Sequence, residues 1–407
     1  MTHASGRVVD LEALSFEQGA HLLVQQGLLG LRPGERLGVT GADPALVVHL
    51  EVWCRAHGHR VAPALDTDFG DGDLKVRAWV ERGRADLDRW AGAQRAGKPS
   101  VDGIVSDPPS DWGLAARGAL IEVGGPQTPF DITHRDLVWA EIAPALYANA
   151  ASAQWDPNTA IDWSTPVTNA PEVEHAVVQV MTYLIENEQA ALVIPAKLLA
   201  RVHPHFREVL QLLAVQAADE ARHMEVFTRR ALLTGHEMGT SSVSGRESLS
   251  TLLHEAEFSM ASFLLSVLGE GSFLNLLEFL DKNAPDPVTR AVTRLARRDE
   301  ARHVAFGVAH LQHQATLDPD VHRRMRMAVE RRYDALVDTA GLNQDVFDSL
   351  VVLAAGAFTP QAIAKGYQAV MKLQSEMDDG RQRRLVHLGF AAGEAADLSA
   401  LHTRNFM

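Results

Sequence analysis

The 407-residue chain has a single cysteine, Cys54. One thiol excludes an internal disulfide framework and any iron–sulfur cluster held by cysteine thiolates. Basic side chains are also in short supply: 38 Lys and Arg stand against 52 Asp and Glu, a formal net charge of −14. That balance argues against nucleic acid or an anionic membrane surface as a partner and suits a soluble globular chain. The opening MTHASGRVVDLEALSFEQ has neither a basic start nor a long apolar run. No secretory signal is therefore expected, and a reducing cytoplasm is the expected compartment. Long apolar stretches are scarce. Phe258 to Leu277 is long enough to span a bilayer, yet it carries Ser262, Ser266, Glu270, Ser272 and Asn275, which suit a helix buried in protein, so no membrane span is predicted.

What the chain does have is a pentapeptide used twice. DEARH occurs as Asp219-Glu220-Ala221-Arg222-His223 and as Asp299-Glu300-Ala301-Arg302-His303, 80 residues apart and each inside a long helical pattern. Residues three apart on a helix are neighbours on one face, so each copy presents one carboxylate and one imidazole to the same point. Either copy alone is half of a metal site. A facing helix with a buried acid would complete it, and each copy has such a helix upstream. From Ala176 to Leu199 the only acids are Glu186 and Glu188, and between Glu257 and Glu278 the only charged residue is Glu270. A carboxylate in so apolar a helix must be neutralised, hydrogen-bonded or bound to a cation.

Depth provides an independent check, because ligands on antiparallel neighbours lie equally far from their shared loop. Glu270 is 12 residues before Lys282 and Glu300 is 12 after Val288; Glu188 is 12 before Ala200 and Glu220 is 14 after Phe206. The helical wheel then separates close competitors. Three and four residues away, Glu188 has Leu184, Ile185, Ala191 and Leu192, whereas Glu186 has Thr182, Tyr183, Gln189 and Ala190. Glu188 is the one expected to face inward. Glu278 has Asn275, Asp281 and Lys282 at that spacing and reads as the helix leaving the core.

These features resemble the ferritin-like di-iron carboxylate superfamily over about residues 171–315. The resemblance implies a four-helix bundle in which Glu188, Glu220, His223, Glu270, Glu300 and His303 are the metal ligands and the catalytic groups. It also implies that Asp219 and Asp299 hold the metal-bound imidazoles. Core helices are expected at about 172–200, 206–235, 248–281 and 287–315, with Pro195 bending the first. Further helices are expected at 136–148, 318–340, 344–357, 360–377 and 379–402, giving a helical domain over residues 136–407. QWDPNTAIDW, with Trp155 and Trp163, is expected as a loop covering the bundle. His203, His205, His254, His310 and His313 fall in loops or at other helical levels and are expected at turns or on the surface.

The first 82 residues follow another pattern. An extended run at Val8–Leu11, a helix from Glu17 to Gly30, a strand at Arg36–Thr40, a helix from Pro44 to His57, an extended Arg60–Leu65 and an alternating Leu74–Val80 give the order βαβαββ. With VVDLEAL, LRPGERLGVT and a final LKVRAWVERG, this resembles the small TusA-like sulfur-carrier fold over residues 6–82. Such proteins carry a reactive Cys followed by Pro where this chain has Ser15-Phe16, and a hydroxyl cannot take a persulfide. Domain 1–82 is therefore expected to carry no sulfur and to serve in docking or oligomerisation, with Cys54 a small buried residue. Residues 83–135 read as a linker rich in turns. The expected fold class is α+β, a small βαβαββ domain followed by a mainly helical ferritin-like bundle.

Six oxygen and nitrogen ligands without sulfur suit iron or manganese, whereas zinc is content with four. The resemblance implies two iron ions (a Mn/Fe pair being the alternative), O2 as co-substrate, an external electron donor and a small organic substrate that is hydroxylated or N-oxygenated. It admits a homodimer. Gly269 and Gly271 flank Glu270 and are expected to leave space beside it or to serve close helix packing. Single positions separate relatives: a radical-generating ribonucleotide reductase subunit carries Tyr where this chain has Phe227, and arylamine N-oxygenases carry an extra His where it has Ala296. An O2-dependent oxygenase or oxidase is the leading expectation. A ferroxidase or iron-handling protein, and a ligand-binding protein with a vestigial site, are the alternatives; a deep organic pocket beside the metals would favour the first and an acidic channel the ferroxidase.

Overall fold

The structure, a computed structural model, describes residues 7–64, 75–84, 90–337 and 344–402. The chain divides into two compact units, residues 1–96 with 118–125, and residues 97–117 with 126–407.

The smaller unit is built from β1 (Arg7–Asp10), α1 (Ala20–Leu29), β2 (Arg36–Thr40), α2 (Leu46–Ala56), β3 (Arg60–Pro63) and β4 (Ala78–Glu81). Its sheet runs in the order β1-β2-β4-β3. β1 and β2 are parallel, which requires a crossover, and α1 is that crossover; β4 pairs antiparallel with both β2 and β3. Alternation sends Leu37, Val39, Ala78 and Val80 to one face, where Ala20, Val24 and Leu28 of α1 and Leu46, Leu50 and Cys54 of α2, each spaced by four, pack onto it. This is the order βαβαββ. Leu74, expected in the last strand, lies outside the described residues. Burial pushes the Cys54 thiol up to about 12, which keeps it unreactive. Ser15 precedes a short 3-10 turn (Phe16–Gln18). A two-stranded ribbon of β5 (Gln94–Arg95) and β6 (Leu120–Ile121) completes the unit.

The larger unit is helical: α3 (Ala143–Ser152), α4 (Pro171–Leu199), α5 (Arg207–Leu232), α6 (Val243–His254), α7 (Phe258–Asn283), α8 (Pro287–Leu317), α9 (Val321–Leu336), α10 (Gln344–Ala355), α11 (Pro360–His387) and α12 (Ala392–His402). α4 packs on α5 and α7 on α8, each pair joined by a short turn, and α5 packs on α8 to unite the two hairpins. The remaining helices clothe this bundle: α3 lies on α5 and α8, α10 on α4, and α11 on α7. Asp286 sets the start of α8, accepting the Thr289 N–H at 2.7 Å ahead of Pro287. α7 is long and apolar enough to cross a membrane, and 83% of its apolar window is buried inside this protein.

Several boundaries differ from the sequence expectation, each for a local reason. The helix expected over 248–281 is two, α6 and α7, because Glu255 Oε1 accepts the backbone N–H groups of Ala256 and Glu257 at 3.0 Å and replaces the helical pattern there. The helix expected at 136–148 starts only at Ala143, with Pro144 in its first turn, where proline is tolerated. No break separates 377 from 379. α11 runs through to His387, and the chain turns at Gly389, whose φ of +102° suits glycine.

Candidate metal centre

Four helices deliver the six side chains singled out from the sequence. α4 supplies Glu188, α5 supplies Glu220 and His223, α7 supplies Glu270, and α8 supplies Glu300 and His303, all 0–3% exposed. They form two overlapping groups, Glu188, Glu220, His223 and Glu300, and Glu220, Glu270, Glu300 and His303, whose facing atoms lie within 4.8 Å of one another. Glu220 and Glu300 belong to both. Glu186 is half-buried and Glu278, paired with Lys282 at 2.7 Å and Arg297 at 3.1 Å, sits at the rim.

Both imidazoles turn Nδ1 into the cluster. His223 Nδ1 lies 3.0 Å from Glu220, 3.5 Å from Glu188 and 3.5 Å from Glu300. His303 Nδ1 lies 3.0 Å from Glu220, 3.3 Å from Glu300 and 4.0 Å from Glu270. Glu220 and Glu300 therefore stand between the two imidazoles in the position of bridges, while Glu188 and Glu270 close opposite ends.

The electrostatics are those of a site built around positive charge. Burial, reinforced by Glu220, raises the Glu188 carboxyl well above its usual range, and burial with Glu300 does the same to Glu270. Burial opposes charge on Glu220 as well, but His303 and His223 outweigh it and hold that carboxyl well below the ordinary range. The imidazoles show the reverse balance: desolvation pulls them down, and Glu188 beside His223 and Glu220 beside His303 raise them well above. One oxygen on each of Glu188, Glu220, Glu270 and Glu300 is buried without a hydrogen-bond partner. Orphaned buried oxygens on four converging carboxylates cost several kcal/mol unless a cation takes them. Four ionised carboxylates balance two divalent cations with both imidazoles neutral. The oxygen and nitrogen donors suit iron or manganese, and the residues present fit such a pair.

Around the cluster lies a layer that sequence reasoning saw only in part. Asp299 accepts from Nε2 of His223 at 3.4 Å and Asp219 from Nε2 of His303 at 3.3 Å. Each aspartate thus holds the imidazole of the other repeat, not of its own. An imidazole that donates Nε2–H to a carboxylate presents the Nδ1 lone pair inward. Burial opposes ionisation of Asp299, but His223, Trp155 and Arg302 keep it well below the usual carboxylate range. The arginines of the same pentapeptides complete the layer: Arg302 donates to Asp299 at 2.6 Å and Asp219 at 3.1 Å, and Arg222 bonds Asp219. The Asp and Arg at i and i+3 of both copies were the available signal. Trp155, expected as a cover, donates Nε1–H to Asp299 at 2.6 Å, and Gln154 donates to Asp219 at 3.1 Å. Gln216, one turn before Glu220, donates to Glu270 Oε1 at 3.1 Å.

Glu270 ends a π-helical stretch, Phe263–Glu270, inside α7. Widened turns of this kind re-aim side chains and recur at functional sites. Here the Val267 carbonyl accepts from Nε of Arg384 on α11 at 2.7 Å, and Gly271 lies against that guanidinium, where a Cβ would collide with it. Gly271 thus serves close packing with α11. On the other side of α7 a narrow crevice of about 10 Å³ is lined by Ile194, Leu198, Leu213, Leu265 and Phe306, with Gln216 and Ser266 among its polar side chains. Both polar residues hydrogen-bond Glu270. Three of the histidines expected at turns or on the surface are buried: His203, His205 and His310. His310 bridges the Trp139 carbonyl and the Ser259 hydroxyl at 2.9 Å each. None of the three joins the cluster.

No protein-family profile matches the chain, and no characterised protein matches it by sequence. Among solved structures, a Synechococcus protein with aldehyde deformylating oxidase activity is 17% identical, covering 58% of this chain and 98% of its own at a TM-score of 0.41. A mutant of R2-like ligand-binding oxidase with an anaerobically reconstituted Mn/Fe cofactor is 18% identical, covering 65% and 93% at 0.43. The same oxidase with an aerobically reconstituted Mn/Fe cofactor is 16% identical, covering 66% and 95% at 0.35. The functional assignment rests on the geometry of the site in this chain.

Proposed function

We propose that the protein is a metal-dependent oxidoreductase of the ferritin-like di-iron kind that uses O2 to oxidise a small organic substrate. The observation that carries this reading is the convergence of four buried carboxylates, each with an unpartnered oxygen, and two imidazoles on one point of a four-helix core. Glu188, Glu220, His223 and Glu300 would hold one ion and Glu220, Glu270, Glu300 and His303 the other, iron in both or manganese and iron. When bound, such a pair supplies the electrons that reduce O2 and the oxidising power delivered to the substrate.

The chain's own residues do the rest. Asp219 and Asp299 keep both imidazoles in the Nε2–H tautomer, and Arg222 and Arg302 keep both aspartates ionised. Gln216 fixes the rotamer of Glu270. The apolar side chains of Ile194, Leu198, Leu213, Leu265 and Phe306 keep bulk water from the Glu270 end of the cluster, while Gln216 and Ser266 hydrogen-bond that carboxylate. An external donor would re-reduce the site after each turnover. The unit containing β1 to β4 we assign to docking or self-association, since Ser15 offers no thiol and Cys54 is sealed.

Anaerobic reconstitution of the reduced protein with ferrous iron is the direct test: about two irons per chain are expected, with O2 uptake on exposure to air. One tightly held zinc, or iron without O2 uptake, would overturn the assignment.

A further inference from the structure

A second recess, sharing no residue with the metal cluster, is formed by the C-terminal half of α6, Leu264 of α7 and one face of α9, and has a volume of about 290 Å³. Its floor holds Arg332, 5% exposed. This guanidinium donates Nη1–H to the Ser248 carbonyl at 3.1 Å and the Thr251 hydroxyl at 2.6 Å, and Nη2–H to the Ser248 hydroxyl at 2.7 Å. All three partners are neutral. A guanidinium has five N–H donors, so Nε–H and one Nη2–H remain, and these two form one edge of the plane, the spacing that receives both oxygens of a carboxylate. No carboxylate among the described residues lies within ion-pair distance of Arg332.

The recess carries excess positive charge in a protein whose formal net charge is −14. Arg331 at its rim pairs with Glu255 at 3.3 Å, and the other oxygen of Glu255 is occupied by two backbone N–H groups. That acid cannot also neutralise Arg332. Burial pulls the Arg332 pKa down to about 10, which leaves it charged at neutral pH. A buried charge without a counter-ion is costly, and the cost is offset if an anion binds. The rest of the lining is Ser250, Thr251 and His254 on α6 and an apolar patch of Leu264, Ala328 and Ala335.

We propose that this recess binds an organic monocarboxylate, its two oxygens on the free edge of Arg332 and its apolar body against Leu264, Ala328 and Ala335. One uncompensated charge and a two-donor edge match a carboxylate, and Leu264, Ala328 and Ala335 give its organic body an apolar surface that free phosphate cannot use.

Benzoate is a suitable probe, titrated calorimetrically into the full chain with inorganic phosphate as the comparison. Benzoate is expected to bind and phosphate not. Arg332→Met should weaken benzoate roughly tenfold or more, the worth of a charge-assisted two-point contact. Because removing a buried arginine can harm folding, Ala335→Glu provides a second variant: it adds negative charge at an exposed rim position and should weaken benzoate clearly more than Ala335→Gln, a side chain of the same size without the charge. Absence of benzoate binding to the natural chain, phosphate binding as tightly as benzoate, or an affinity lowered no more by Ala335→Glu than by Ala335→Gln overturns the proposal. The proposed oxidase activity does not depend on any of these outcomes.

Discussion

Not every buried carboxylate in this protein calls for a metal, and two side chains of α4 make the contrast. Glu174 is nearly as buried as Glu188, but Arg230 donates to it at 2.6 and 2.9 Å and to Asp286 at 2.7 Å, closing an ion network that joins α4, α5 and α8. Glu188 and Glu270 have no such cation. Glu270→Ala should therefore lower iron content and abolish O2-driven oxidation while leaving the apo fold intact, because it relieves the crowding of four buried carboxylates and breaks no Arg or Lys ion pair. Glu278→Ala, at the salt-bridged rim, is the control and should keep both; circular dichroism alongside iron analysis checks the pair. Retained iron in the first and loss in the second would mean that α7 has been placed in the wrong register. The crossed aspartates make a finer prediction. Asp299→Asn loses the carboxylate that holds His223 and should weaken metal affinity by roughly 10–100-fold, measured by competition with a chelator, with the effect on the His223 ion and not on its neighbour.

At the scale of elements, α7 determines whether the two halves meet. In its π-helical stretch the Val267 carbonyl accepts a hydrogen bond from Arg384 of α11. Arg384→Met should cost about 1–3 kcal/mol, the worth of a hydrogen bond from a charged donor. Iron occupancy should fall with it, since Glu270 lies at the end of the same stretch; denaturant unfolding and iron analysis on one preparation test both. Stability loss with full iron occupancy would mean that Glu270 is held by Gln216 and Ser266 independently of the π turn.

For the whole molecule, acid sensitivity follows from two buried neutral histidines. Burial lowers His310 to about 4, and burial with the Arg117 charge lowers His205 to about 4. Unfolded, both titrate near 6.5. Above that value both states are neutral and the native contribution is complete. As pH falls from about 6.5 to about 4 the unfolded chain takes up protons that the folded chain refuses, so stability declines through that window, by about 3 kcal/mol for fully buried His310. Urea unfolding at about pH 7 and about pH 4.5 should show the decline, and His310→Gln should reduce it. An equal decline in the variant would assign the loss to other groups.

Much of this protein is readable from its sequence because the signals are periodic or repeated. Strand β2 occupies Arg36–Thr40, the span expected after the LRPGE turn, and the helices of the bundle fall within a few residues of their apolar stripes, since a helix's buried face must recur every 3.6 residues. The repeated DEARH, the isolation of Glu270 and the wheel around Glu188 brought out the six side chains because an acid in an apolar helix has few neutral explanations. Other features had no such mark. Which imidazole each aspartate would hold depends on how α5 and α8 pack, a relation between residues 76 and 84 positions apart. The break at Glu255, the π turn before Glu270, the role of Gly271 beside Arg384 and the missing counter-ion of Arg332 are likewise contacts between distant segments. Local sequence determined which groups this chain could bring to a site. Packing alone decided which of them would be satisfied by a protein partner and which would be left for a metal or an anion, because the cost of a buried charge depends on everything within a few ångströms of it.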